Sequence, residues 1–95
     1  MQISKTEALV LQRLVAAAGS EMYGLEMVRR SDGALKMGTI YVILGRLEDK
    51  KLVESWREEL KDSDRSTPRR LYKVTGTGVR ALHAYEAAQA AYAAV

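Results

Sequence analysis

A change of hydrophobic period in the middle of the chain constrains its fold more than any other feature. Over Thr39–Lys50 the apolar residues Ile40, Ile43, Leu44 and Leu47 fall at i, i+3, i+4 and i+7, which stacks them on one face of a helix. The opposite face carries Thr39, Tyr41, Val42, Gly45, Arg46 and Asp49, a mixed, largely polar set. Directly afterwards, over Leu52–Glu59, the period drops to two. Val53 and Ser55 alternate with Glu54 and Trp56, and the β-branched and aromatic content suits a strand. A helix with one free face that runs straight into a strand needs other helices to cover its apolar stripe and a second strand to pair with. All of this has to come from 95 residues, enough for one domain with one core.

The flanking segments supply those partners. Ser4-Lys5-Thr6-Glu7 fits a capping box and opens a helix that runs to about Ala18 and stops at Gly19-Ser20. Leu11, Leu14, Val15 and Ala18 form one face of it, and Leu9 and Val10 lie off that face, which predicts a second apolar partner. A second helix is predicted from about Tyr23 to Ser31, ended by Ser31-Asp32-Gly33, with a short extended piece over Ala34–Met37 before the third helix. Gly38 or Thr39 is the expected cap of that helix, and Lys50-Lys51 closes it without the glycine that a left-handed position favours. After a polar stretch, Leu60–Pro68, the alternation returns over Arg69–Val74, so that two strands and a tip form a β-hairpin. Thr75 then caps a helix to the C-terminus in which only Arg80 and Glu86 are charged.

The predicted order is α-α-short β-α-β-β-α, an α+β, mainly α, winged helix-turn-helix. Residues 1–74 form the winged unit, and residues 75–95 a C-terminal dimerisation helix packed with the first helix. Gly78, Ala81, Tyr85, Ala88, Tyr92 and Val95 follow a 3-4-3-4-3 spacing, a seam suited to helix pairing. Val79 and Leu82 add a second stripe that can face the domain.

Composition removes several classes of function. The chain has no cysteine, which excludes disulfides and thiolate metal sites, and its one histidine, His83, cannot build a common zinc site. Thr75-Gly76-Thr77-Gly78 lacks the lysine and glycine spacing of a phosphate loop. No catalytic residues, metal or cofactor are therefore expected. No apolar run approaches a membrane span and no secretory h-region follows Met1, so the expectation is a cytoplasmic protein without a membrane partner. The net charge is +3, with 15 Lys/Arg against 12 Asp/Glu. Cations concentrate in the second half at Arg57, Lys61, Arg65, Arg69, Arg70 and Lys73, which reads as local positive charge at a contact surface.

Tyr23-Gly24-Leu25-Glu26, Gly38-Thr39-Ile40-Tyr41 with Leu44 and Leu47-Glu48, Leu52-Val53-Glu54-Ser55, and Arg70-Leu71-Tyr72 with Thr75 and Gly78 together resemble the PadR family of bacterial transcription regulators, in its short form. The resemblance spans Tyr23 to about Leu82 and implies a DNA-binding repressor that works as a two-fold dimer through its flanking helices. The sequence departs from the family pattern at Lys51, where a glycine is usual, and at Gly45, where a recognition helix is usually polar. The C-terminal helix also ends earlier than in members with a longer effector-binding dimer domain.

Residue chemistry and the resemblance lead to the same candidate sites. Thr39, Tyr41 and Arg46 offer donors to base edges, and Val42 offers apolar contact to a thymine methyl. Lys36, the Tyr23 hydroxyl, and the hairpin cations Lys61, Arg65 and Arg69 can reach phosphates of double-stranded DNA. Leu9, Val10, Ala81, Leu82, Tyr85, Ala88 and Tyr92 are the expected homodimer interface. Trp56 suits either packing or stacking on a planar small-molecule effector, whose identity the sequence does not give. The competing function is a winged-helix module that binds another protein through Val42 and Gly45.

Overall fold

The computed structural model describes residues 2–59 and 68–94. The hairpin cations Lys61 and Arg65 lie outside the described residues. Seven elements follow in order: α1 (Lys5–Ala16), β1 (Met22–Tyr23), α2 (Gly24–Arg29), α3 (Met37–Asp49), β2 (Val53–Arg57), β3 (Arg70–Val74) and α4 (Gly76–Ala93). The strands form an antiparallel sheet in the order β1-β3-β2.

The capping box at α1 is formed as predicted. Ser4 N donates to the Glu7 carboxylate at 2.7 Å, and Glu7 N donates to Ser4 Oγ at 3.1 Å. Glu7 is nevertheless buried, and its second carboxylate oxygen accepts from Lys50 Nζ at 2.8 Å. Burial alone would raise the Glu7 pKa. The hydrogen bond and charge of Lys50, with the Ser4 amide and hydroxyl, outweigh it and hold the group below the ordinary glutamate value. Lys50 also donates to the Gln2 carbonyl at 3.0 Å, which ties the N-terminal segment to the end of α3.

The short strand is not where the sequence predicted it. It precedes α2 instead of following it: Met22 pairs with Tyr72 and Tyr23 with Leu71. Pairing with β3 draws these two residues into extended backbone and shortens α2 to six residues. Leu35, expected in an extended piece, sits in a turn closed by a buried serine. Ser31 Oγ donates to the Val28 carbonyl at 2.7 Å and accepts from Leu35 N at 2.9 Å. Lys36 caps α3 through its backbone with no side-chain cap bond, so neither Gly38 nor Thr39 has the role expected of it.

All four stripe residues of α3 are buried, together with Leu11, Leu14, Met27 and Leu52. The helix ends in a Schellman turn: Leu52 N donates to the Leu47 carbonyl and Lys51 N to the Glu48 carbonyl, both at 2.9 Å. Lys51 takes the left-handed position at φ 63° without being glycine. The same turn anchors α4. Thr75 Oγ1 donates to the Lys51 carbonyl at 2.8 Å and accepts from Gly78 N at 3.0 Å, while Thr75 N donates to the Leu52 carbonyl. A Cβ on Gly78 would overlap that Leu52 carbonyl oxygen, so glycine is required there by close approach.

These contacts correct part of the predicted dimer interface. Val10 has no exposed surface and Leu82 is 2% exposed, both within the core of the single chain. The second apolar partner of α1 is α4 of the same chain, so neither residue has surface to offer another copy. Gly78 leaves the seam for the same reason.

Candidate nucleic-acid interface

With its apolar stripe buried, α3 turns the rest of its surface outward. Lys36, Thr39, Tyr41, Val42 and Arg46 are all exposed, Tyr41 at 49% and Val42 at 54%. Gly38 and Gly45 have open space where a Cβ would stand, so packing within the chain demands neither glycine. Tyr41 is steadied from one side. Its ring edge would lie 2.9 Å from a Cβ on Gly24, and it meets the Tyr72 ring at 6.5 Å between centroids. Glycine at the start of α2 is therefore what lets this side chain lie down. Thr39 Oγ1 donates to the Lys36 carbonyl at 3.3 Å, and a cleft of about 350 Å³ runs from Thr39 and Arg46 to the N-cap residue Ser4 and to Thr6 of α1.

The register of β2 and β3 sorts the hairpin side chains by face. Val53, Ser55 and Arg57 stand opposite Val74, Tyr72 and Arg70. This face is turned toward α3, because Ser55 donates to Glu48 and the Tyr72 ring meets Tyr41. Glu54 and Trp56 stand opposite Lys73 and Leu71 on the other face, where Trp56 is 38% exposed.

Two predicted phosphate contacts, Tyr23 and Arg69, share a carboxylate. The Tyr23 hydroxyl donates to Glu58 at 2.7 Å, and Arg69 donates to Glu58 through its backbone N at 3.0 Å and Nε at 3.3 Å. The Arg69 guanidinium also stacks 3.6 Å from the centre of the Tyr23 ring. The hydrogen bond to Glu58 holds the phenol proton and raises the Tyr23 pKa, with desolvation adding to it. Tyr23 N donates to Glu26 at 3.0 Å, completing the backbone cap of α2. These two side chains thus brace the hairpin against the start of α2.

The sequence reading counted Arg57 and Arg70 among the cations of a contact surface without assigning either a specific contact, and the register puts both on the α3 side of the sheet. Strand alternation places Arg70 with Tyr72, but only the pairing register brings Arg57 opposite it.

The last helix leaves the body of the chain, whose extents are 57 × 27 × 22 Å. Ala81 and Tyr85 pack partly on the core, and Leu9 joins them from α1. Gln12 donates to Glu86 at 3.4 Å. Ala88 and Tyr92 are exposed, Tyr92 at 79%. A groove of about 350 Å³ runs between Gln2–Ile3 and the α4 residues Ala81, Ala84, Tyr85, Ala88 and Gln89. Among the described residues no helix is long and apolar enough to cross a membrane.

A helix held outward by buried neighbours and followed at once by a β-hairpin is a winged helix-turn-helix, and the class it defines is a DNA-binding regulator. Residues 11–84 match the PadR-like family of transcriptional regulators, and the chain belongs to that family. Its work is accordingly regulation by binding, not catalysis. Among solved structures it is similar to a PadR family transcriptional regulator from Eggerthella lenta DSM 2243, at 28% identity and a TM-score of 0.75 over 92% of this chain and 73% of that one. It is also similar to Bacillus subtilis PadR in complex with operator DNA (17% identity, TM-score 0.71, 85% of this chain and 46% of that one). A third is the PcaV regulator from Streptomyces coelicolor in complex with its natural ligand (23% identity, TM-score 0.67, 86% of this chain and 52% of that one). The last two bear on the fold alone. No curated protein sequence is a significant match.

Proposed function

We propose that this protein is a cytoplasmic repressor that binds a near-palindromic operator as a two-fold homodimer. The observation that carries the reading is the outer face of α3, exposed along Thr39, Tyr41, Val42 and Arg46 while every residue of its apolar stripe is buried. Such a face enters a major groove as a rigid unit, with Arg46, Thr39 and Tyr41 on base edges, Val42 against a thymine methyl and Lys36 on a phosphate. Lys61 and Arg65 are assigned further phosphate contacts on their charge alone. Dimerisation runs through α4, where Tyr85, Ala88 and Tyr92, with Ala81 and Leu9 beside them, form the surface left after Val10 and Leu82 are assigned to the core. Repression follows if the bound dimer occludes polymerase.

We extend the reading to a small-molecule effector. PcaV was solved with its natural ligand, and the groove beside α4 has the size of a ligand site. Trp56 lies on the outer sheet face and has no part in that groove. A protein-binding winged helix remains the competing reading, favoured by exposed Val42 beside unpacked Gly45. Salt-titrated DNA binding separates the two. If the dimer neutralises six to ten phosphates, affinity falls by about 10³–10⁵ between 50 and 200 mM salt. A flat salt response, or no binding to any duplex, contradicts the DNA reading.

A further inference from the structure

The β2–β3 pair brings together two like charges that the base-reading role does not use. Arg57 stands directly opposite Arg70, and both are exposed. Like charges in directly opposed strand positions destabilise a sheet. Among the described residues of the hairpin, Arg69 is paired with Glu58, and Lys73 stands opposite Glu54. Among the described residues, no carboxylate forms an ion pair with Arg57 or Arg70. Arg70 is also aimed. Its Nε donates to Ser55 Oγ at 2.9 Å, and Ser55 donates onward to Glu48 of α3. That chain of bonds fixes one edge of the guanidinium and leaves its terminal nitrogens, and the whole Arg57 guanidinium, without a protein partner among the described residues.

We propose that Arg57 and Arg70 form a clamp for one DNA backbone phosphate per protomer, at the root of the hairpin and not at its tip. The proposal rests on the reading of α3 as the recognition helix, because the pair lies on the sheet face turned toward that helix. Two guanidinium groups carried by directly opposed strand positions can share the oxygens of one phosphodiester, whose negative charge removes their mutual repulsion. The free protein keeps a local destabilisation that DNA relieves.

The test uses the full chain and a mixed-sequence duplex, since a phosphate contact acts without regard to sequence. In the double variant Arg57→Gln/Arg70→Gln, the slope of log affinity against log salt becomes shallower by about 0.9 per protomer, or about 1.8 for the dimer. The single variant Arg57→Gln, which keeps the Arg70–Ser55 bond, raises the melting temperature of the free protein, because the repulsion is gone. A wild type that binds the duplex and a double variant of unchanged slope overturn the clamp while leaving the recognition helix in place. A wild type that fails to bind overturns the reading of α3, and the clamp with it. Inorganic phosphate that stabilises the wild type but not the variants, with unchanged slopes on DNA, reassigns the pair to a free anion and overturns the proposal.

Discussion

Glu7 shows how one residue serves two levels of the structure. Its spacing from Ser4 announced the capping box, and that motif is formed. Its other partner is not legible locally, because Lys50 lies 43 residues away and the two meet only when α1 packs across the end of α3. The pairing has a pH signature. The folded-state pKa of Glu7 is held below the ordinary 4.5, so the carboxylate contributes stability above that value and loses it as pH falls through the lowered folded value. Glu7→Gln is expected to cost about 2 kcal/mol at pH 7, on the scale of hydrogen bonds to charged groups, and progressively less as the pH is lowered toward 3. Denaturant unfolding across that range checks it, and a cost independent of pH contradicts the assignment. Tyr23 and Arg69 carry the opposite lesson. Both were legible as phosphate-binding chemistry, but Glu58 engages both, a partner fixed by sheet register and not by local spacing.

Elements with a strong local period were legible, and those decided by a distant partner were not. The α3 stripe, the hairpin and the Thr75 cap each follow from adjacent residues, and each stands close to its predicted position. Strand β1 has two residues and becomes a strand only by pairing with β3, about fifty positions later, so local pattern favoured a helix there. Val10 was off the main face of α1 for a good reason, since that helix is covered on two sides, but its second cover is α4 of the same chain. The end of α3 yields a further prediction. Lys51 sits in left-handed backbone, which costs a non-glycine residue roughly 1–2 kcal/mol, partly offset by the greater unfolded-state freedom of glycine. Lys51→Gly should therefore stabilise the protein by about 0.5–1 kcal/mol in chemical denaturation, with the Schellman bonds to Leu47 and Glu48 kept. A loss of stability would show that the lysine side chain contributes more than its backbone costs.

At the scale of the whole molecule, the junction of Lys51, Leu52, Thr75 and Gly78 fixes the direction in which α4 leaves the winged unit. The helix that would join two copies is thereby tied to the end of the helix that would read DNA. A dimer built through α4 then sets the spacing of two α3 helices, and that spacing is written into the operator. Binding-site selection from a random duplex pool, using the full-length protein, measures it most directly. The account predicts enrichment of two inverted half-sites about 10–10.5 base pairs apart, centre to centre, or a multiple of that spacing. Enrichment of a single half-site, of direct repeats, or of no motif at all would contradict it.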